Sequence, residues 1–157
     1  MRRSPMFAAI AALLLSAGAS VAQARDITTG ISGAELVTVL QDNGYRAKLG
    51  VDGEGDPKVE SAVAGYNFSI FMYGCEKGRC QSIQFQLGID IKEGTTLDAI
   101  NKWNRTRRFA SVFMDEENDP YIQMDLDLEK GSSTEQIGLY LENWENAVGV
   151  FAKDFDL

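Results

Sequence analysis

Tyr66-Asn67-Phe68-Ser69-Ile70-Phe71-Met72-Tyr73, then Gly74-Cys75-Glu76-Lys77-Gly78-Arg79-Cys80, then Ser82-Ile83-Gln84-Phe85-Gln86-Leu87 is the stretch that decides the fold. Ile83, Phe85, Leu87 and Ile89 alternate with Ser82, Gln84 and Gln86. A strict period of two gives one buried and one wet face, the habit of an antiparallel sheet. Two such runs around a short glycine-containing turn make a hairpin. The turn holds Cys75 and Cys80, the chain's 2 cysteines. Their spacing is not that of a thioredoxin-type motif, and with no histidine in the chain a four-ligand zinc site has too few donors. In an oxidising compartment the two can pair, so a structural disulfide clamping the hairpin mouth is expected.

Downstream, Thr95 or Thr96 caps a helix running through Arg107, with Leu97, Ile100 and Trp103 inward and arginines near its C-terminus, where they suit the helix dipole. A further hairpin follows, Phe109–Met114 and Tyr121–Glu129. In its second strand Ile122, Met124, Leu126 and Leu128 alternate with Gln123, Asp125, Asp127 and Glu129. From Ser133 to Phe155 the residues Ile137, Leu141, Trp144, Val148, Phe151 and Phe155 form one apolar stripe of a long helix. Upstream, Leu36, Val39 and Leu40 define a helix over Ser32–Asn43, with Ser32 and Glu35 at capping-box spacing and Gly44 at its end. Tyr45–Val51 and Lys58–Ala64 make a first hairpin. The order is α-β-β-β-β-α-β-β-α, an α+β fold with helices flanking an antiparallel sheet. Asp52-x-x-x-Asp56-Pro57 and Asp115-x-x-x-Asp119-Pro120 echo one another, each after a helix–strand unit.

The N-terminus carries Arg2 and Arg3, an apolar run from Met6 to Leu15, and Ala22-Gln23-Ala24. A charged start, a short apolar core and an A-x-A end are the parts of a secretory signal peptide. Cleavage after Ala24 would leave a single domain, residues 25–157, with no stable membrane insertion. It also removes two arginines, so 13 basic residues face 23 acidic ones, a formal charge of −10. Such a chain repels a phosphate backbone, and Arg105-Thr106-Arg107-Arg108 is too short a basic run to offset that. Nucleic acid is not an expected partner.

Chemistry has little to work with. The acidic turns offer oxygen ligands, but the twelfth position counted from Asp52 is Val63 and from Asp115 is Leu126, where an EF-hand needs a bidentate glutamate. Turn chemistry accounts for these aspartates without an ion. The chain lacks a histidine base, a G-x-S-x-G elbow and a phosphate-binding glycine loop. No catalytic residue, metal or cofactor is expected. Trp103, Asn104, Arg105 and Arg108 admit two readings. An indole beside an amide and two guanidinium groups at a helix end could form a recognition spot. A core tryptophan, with arginines complementing the helix terminus and the acidic hairpins, accounts for the same residues and is preferred.

With Gly44-Tyr45, Gly55-Asp56-Pro57, Tyr73-Gly74-Cys75, Cys80, Ser82-Ile83-Gln84-Phe85, Ile100-Asn101-x-Trp103-Asn104, Arg108-Phe109 and Asp119-Pro120 in place, the chain resembles YbjN-domain proteins from about Ala34 to Phe155. It closely resembles their exported, cysteine-containing members. The resemblance implies a fold similar to type III secretion chaperones, a bacterial source, hence a periplasmic location, and a sensory transduction regulator label that carries no catalytic residues. The expectation is a non-enzymatic periplasmic protein of chaperone-like or regulatory type that engages another polypeptide; an enzyme using surface carboxylates is the alternative. Because Asp125, Asp127 and Glu129 are expected on the wet face, self-pairing of that face would oppose like charges, and a monomer is expected.

Overall fold

The computed structural model describes residues 24–157; the expected leader, Ala24 excepted, lies outside the described residues. Helix α1 (Gly33–Asp42) starts at Ser32, whose hydroxyl accepts from the Glu35 N–H while its own N–H donates to the Glu35 carboxylate at 2.9 Å. The Ser32 backbone bond is the largest of the influences that hold the Glu35 carboxyl below its ordinary value, against the opposing effect of burial. Gly44, at φ +84°, turns the chain out of the helix. The hairpins β2 (Lys48–Val51) with β3 (Pro57–Val63) and β4 (Tyr66–Tyr73) with β5 (Ser82–Gly88) follow. Then come α2 (Leu97–Thr106), β6 (Ser111–Met114), β7 (Pro120–Asp127) and α3 (Thr134–Asp154). The main sheet has the order β2-β3-β4-β5-β7-β6, antiparallel throughout.

The architecture is the α+β one that the alternation implies, with two short strands added, several element ends trimmed, and Leu97, expected inward, exposed at the start of α2. Short strands β1 (Asp26–Ile27) and β8 (Ser132–Ser133) pair, tying the N-terminal segment to the start of α3. Two residues have no periodicity to read, so the sequence is silent on them. Tyr45 does not open a strand, because its N–H closes the end of α1 on the Leu40 carbonyl at 2.9 Å. Phe109 likewise stands outside β6, in the left-handed region at φ +73°.

The helices cover one face. Val59, Phe68, Ile70, Met72, Ile83, Phe85, Leu87, Ile122, Met124 and Leu126 point into the core from the sheet. Leu36, Val39 and Leu40 from α1, Ile100 and Trp103 from α2, and Ile137, Leu141, Trp144, Val148 and Phe151 from α3 meet them. Trp144 is the centre, fully buried with ring centroids 5.6 Å from Phe68 and 5.7 Å from Phe85.

The echoed turns belong to a larger symmetry. Asp52 and Asp115, Pro57 and Pro120, and the first residues of β2 and β6 all stand 63 residues apart. Both loops close in one way: the aspartate Oδ1 accepts two backbone N–H bonds at 2.9 Å, from Glu54 and Asp56 in one and from Glu117 and Asp119 in the other. Exchanging β2 with β6, β3 with β7 and β4 with β5 leaves the strand order unchanged. Val59 pairs with Ile70 as Ile122 pairs with Leu87, so β4 maps onto β5 with Ser69 falling on Gln86. Those two residues are themselves cross-strand partners. A pseudo-two-fold axis therefore passes between Ser69 and Gln86, out through the face that no helix covers.

Candidate functional site

On the open face the side chains of Lys48, Lys58, Glu60, Asn67, Ser69, Phe71, Gln84, Gln86, Tyr121, Gln123 and Asp125 stand in the alternation opposite to the core. Of these, Lys48, Glu60, Asn67, Ser69, Phe71, Gln86 and Tyr121 line, with Arg46, a groove of about 610 Å³ that takes in the pseudo-two-fold axis. Its floor includes Ser69 and Gln86. Phe71 and Tyr121 lie on opposite sides of that floor, and Arg46, Lys48 and Glu60 wall the β2 side. The Tyr121 ring lies over Gly88, where a Cβ would come within 2.3 Å of it, and stacks on Phe113 with centroids 5.2 Å apart. Glycine at 88 is what lets this ring lie flat across the sheet.

Charge is divided across the face. Arg46, Lys48 and Lys58 occupy the β2–β3 side, and Asp125 and Asp127 the β7 side; Glu129 lies past the end of β7. Gln84 donates to Asp125 at 2.9 Å. Burial first, and then the charges of Asp125, Asp52 and Glu54, push the Tyr73 phenol above its ordinary value. On the opposite side Lys58 pairs with Glu60 at 3.3 Å, and the Arg46 guanidinium donates to the Asn67 side-chain oxygen. The sequence reading found the carboxylates and missed the cations. The signal was there in Arg46, Lys48 and Lys58, since Arg46 and Lys48 alternate with Ala47, Leu49 and Val51.

The residues at the end of α2 are divided between core and surface. Trp103 is buried, and its indole N–H meets no acceptor among the described residues. Asn104 exchanges two hydrogen bonds with the backbone of Val112. Arg105 and Arg108 remain exposed, Arg108 over the Phe109 ring at 5.0 Å. Arg107 pairs with Asp154 at 2.7 Å. Cys75 and Cys80 are joined in a disulfide. Cys80 also exchanges backbone hydrogen bonds with Ile31, and Arg79 bonds the Thr29 and Gly30 carbonyls and the Glu35 carboxylate. Among the described residues no cluster of three or more His, Cys, Asp or Glu is placed to hold a metal ion.

The profile of the YbjN family, described as a "putative bacterial sensory transduction regulator", matches residues 32–157, and the chain belongs to that family. No curated protein and no solved structure gives a significant match.

Proposed function

We propose that the protein is a non-enzymatic, chaperone-like or regulatory protein of the bacterial periplasm that binds another polypeptide on the open face of its sheet. The observation that carries this reading is the groove about the pseudo-two-fold axis. Its amide and hydroxyl side chains, Asn67, Ser69 and Gln86, suit the N–H and C=O groups of an extended backbone, and Phe71 and Tyr121 offer flat apolar surface to side chains. Its one acidic lining residue, Glu60, is tied to Lys58, whereas acid–base hydrolysis wants a pair of carboxylates converging on a substrate. Export is supported by the A-x-A leader pattern and by the disulfide, which suits an oxidising compartment. No helix among the described residues is long and apolar enough to cross a membrane.

The test is a photo-crosslinking residue placed at Gln86, in the groove, or at Leu139, exposed on the helical side. In bacteria expressing the chain, discrete polypeptide adducts are expected from position 86 and none from 139. No adduct from 86, or the same adducts from both, overturns the proposal.

A further inference from the structure

We infer that the polypeptide segment accepted by the groove is acidic, and that Arg46 and Lys48 receive its carboxylates. The inference rests on the polypeptide-binding reading and adds the chemistry of the partner. Arg46, just before β2, and Lys48, its first residue, both line the groove, Lys48 directly across from Glu60. Among the described residues neither forms an ion pair, because Glu60 is engaged by Lys58 and Arg46 is turned to the neutral amide of Asn67. The chain as a whole is acidic, with 23 carboxylates against 15 cations. Carboxylates are therefore plentiful on its surface, yet among the described residues none forms an ion pair with these two, and the one that faces Lys48 by register, Glu60, is engaged by Lys58.

Both cations line one groove, and like charges held there repel each other. A carboxylate set between them would relieve that repulsion and form charge-assisted hydrogen bonds, which are the stronger kind. The polarity of the face fixes the sense of binding. The acidic part of the segment lies against β2 and β3, and Asp125 and Asp127 turn it away from β7. Phe71 and Tyr121, flanking the Ser69–Gln86 floor, take the residues that alternate with the acidic ones in an extended segment.

The probes are two fluorescein-labelled peptides, one alternating glutamate with tyrosine and one alternating glutamine with tyrosine, read by fluorescence anisotropy. The glutamate peptide is expected to bind, the glutamine peptide about tenfold more weakly or worse, as loss of a hydrogen bond to a charged group predicts. The double variant Arg46→Glu/Lys48→Glu should abolish binding of the glutamate peptide. Lys130→Glu/Lys153→Glu, the same change in net charge away from the groove, should leave it unaltered. Equal binding of both peptides would overturn the acidic preference while leaving the polypeptide reading intact. Equal loss in the two double variants would reduce the effect to diffuse charge and overturn the inference. If neither peptide binds, the inference falls, and crosslinking from position 86 decides the broader reading separately.

Discussion

Asn104 stands beside Val112 as a neighbouring strand would, donating from its side-chain amide to the Val112 carbonyl at 2.9 Å and accepting from the Val112 N–H at 2.8 Å. Val112 lies in β6, the last strand of the sheet, whose outer edge would otherwise present bare donors and acceptors. One amide on α2 thus closes the middle of that edge and fixes the helix to it.

Asn104→Ala removes both bonds. The expected cost is about 1–3 kcal/mol, the range for leaving backbone groups without partners, measured as a fall in the urea midpoint. Asn104→Asp, which can accept but not donate, should also destabilise. Wild-type stability in both variants would show that the edge gains nothing from the contact.

Trp144 fills the space between Phe68 and Phe85, where the long helix crosses the sheet. Trp144→Ala should cost about 3–5 kcal/mol, as for other truncated core aromatics, a large share of the roughly 5–15 kcal/mol that a domain possesses. Chemical denaturation followed by circular dichroism measures it. A midpoint within error of wild type would mean that neighbouring side chains collapse into the vacated volume.

These two residues mark what was legible in the chain. Trp144 was readable because its stripe repeats over a helix of 21 residues, and repetition is what periodicity detects. The β5 and β7 strands were readable for the same reason, since Ile83–Leu87 and Ile122–Leu126 alternate without interruption. Trp103 was recognised with its helix, but nothing in Trp103-Asn104-Arg105 says that the middle residue bonds a strand eight positions on. That contact depends on where α2 packs, which is a tertiary fact. The pseudo-two-fold axis was visible only as two similar turns. Its halves share spacing rather than residues: Lys58 corresponds to Tyr121 and Leu40 to Trp103. The groove went unread because its lining is gathered from segments as far apart in the chain as Arg46 and Tyr121, and only the strand order brings them together.

The Cys75–Cys80 disulfide closes a loop with a sequence separation of 5, so its effect on the unfolded chain is small, about 2 kcal/mol. Its local effect should be larger in reach. Cys80 holds Ile31, and Arg79 holds Thr29, Gly30 and Glu35, so the hairpin positions the segment leading into α1. In the Cys75→Ala/Cys80→Ala variant the denaturant midpoint should fall by that amount, and the Ile31 amide should exchange faster while amides of β5 and β7 keep most of their protection. Unchanged protection at Ile31 would separate the disulfide from the N-terminal segment. Alkylation of both cysteines in the native protein before reduction would show that the bond is not formed.

Tyr45 supplies the pH dependence. Its hydroxyl donates to the Glu145 carboxylate at 2.8 Å. Burial first, then that hydrogen bond and the charges of Glu145 and Glu142, push its phenol from 10.0 up to about 12. The folded protein therefore keeps this proton to higher pH than the unfolded chain does. Between the two values the unfolded chain binds fewer protons, so stability falls as pH rises from about 10 to about 12 and is present in full below that window. Tyr45→Phe has no phenol to ionise. It should lose a little stability near neutral pH, with the hydrogen bond gone, and then show a shallower decline through the alkaline window. Urea midpoints at about pH 9 and about pH 11, taken for both proteins with the disulfide intact, compare the two slopes. Parallel slopes would mean that Tyr45 ionises alike in the folded and unfolded chains, and that its contact with Glu145 does not hold the proton.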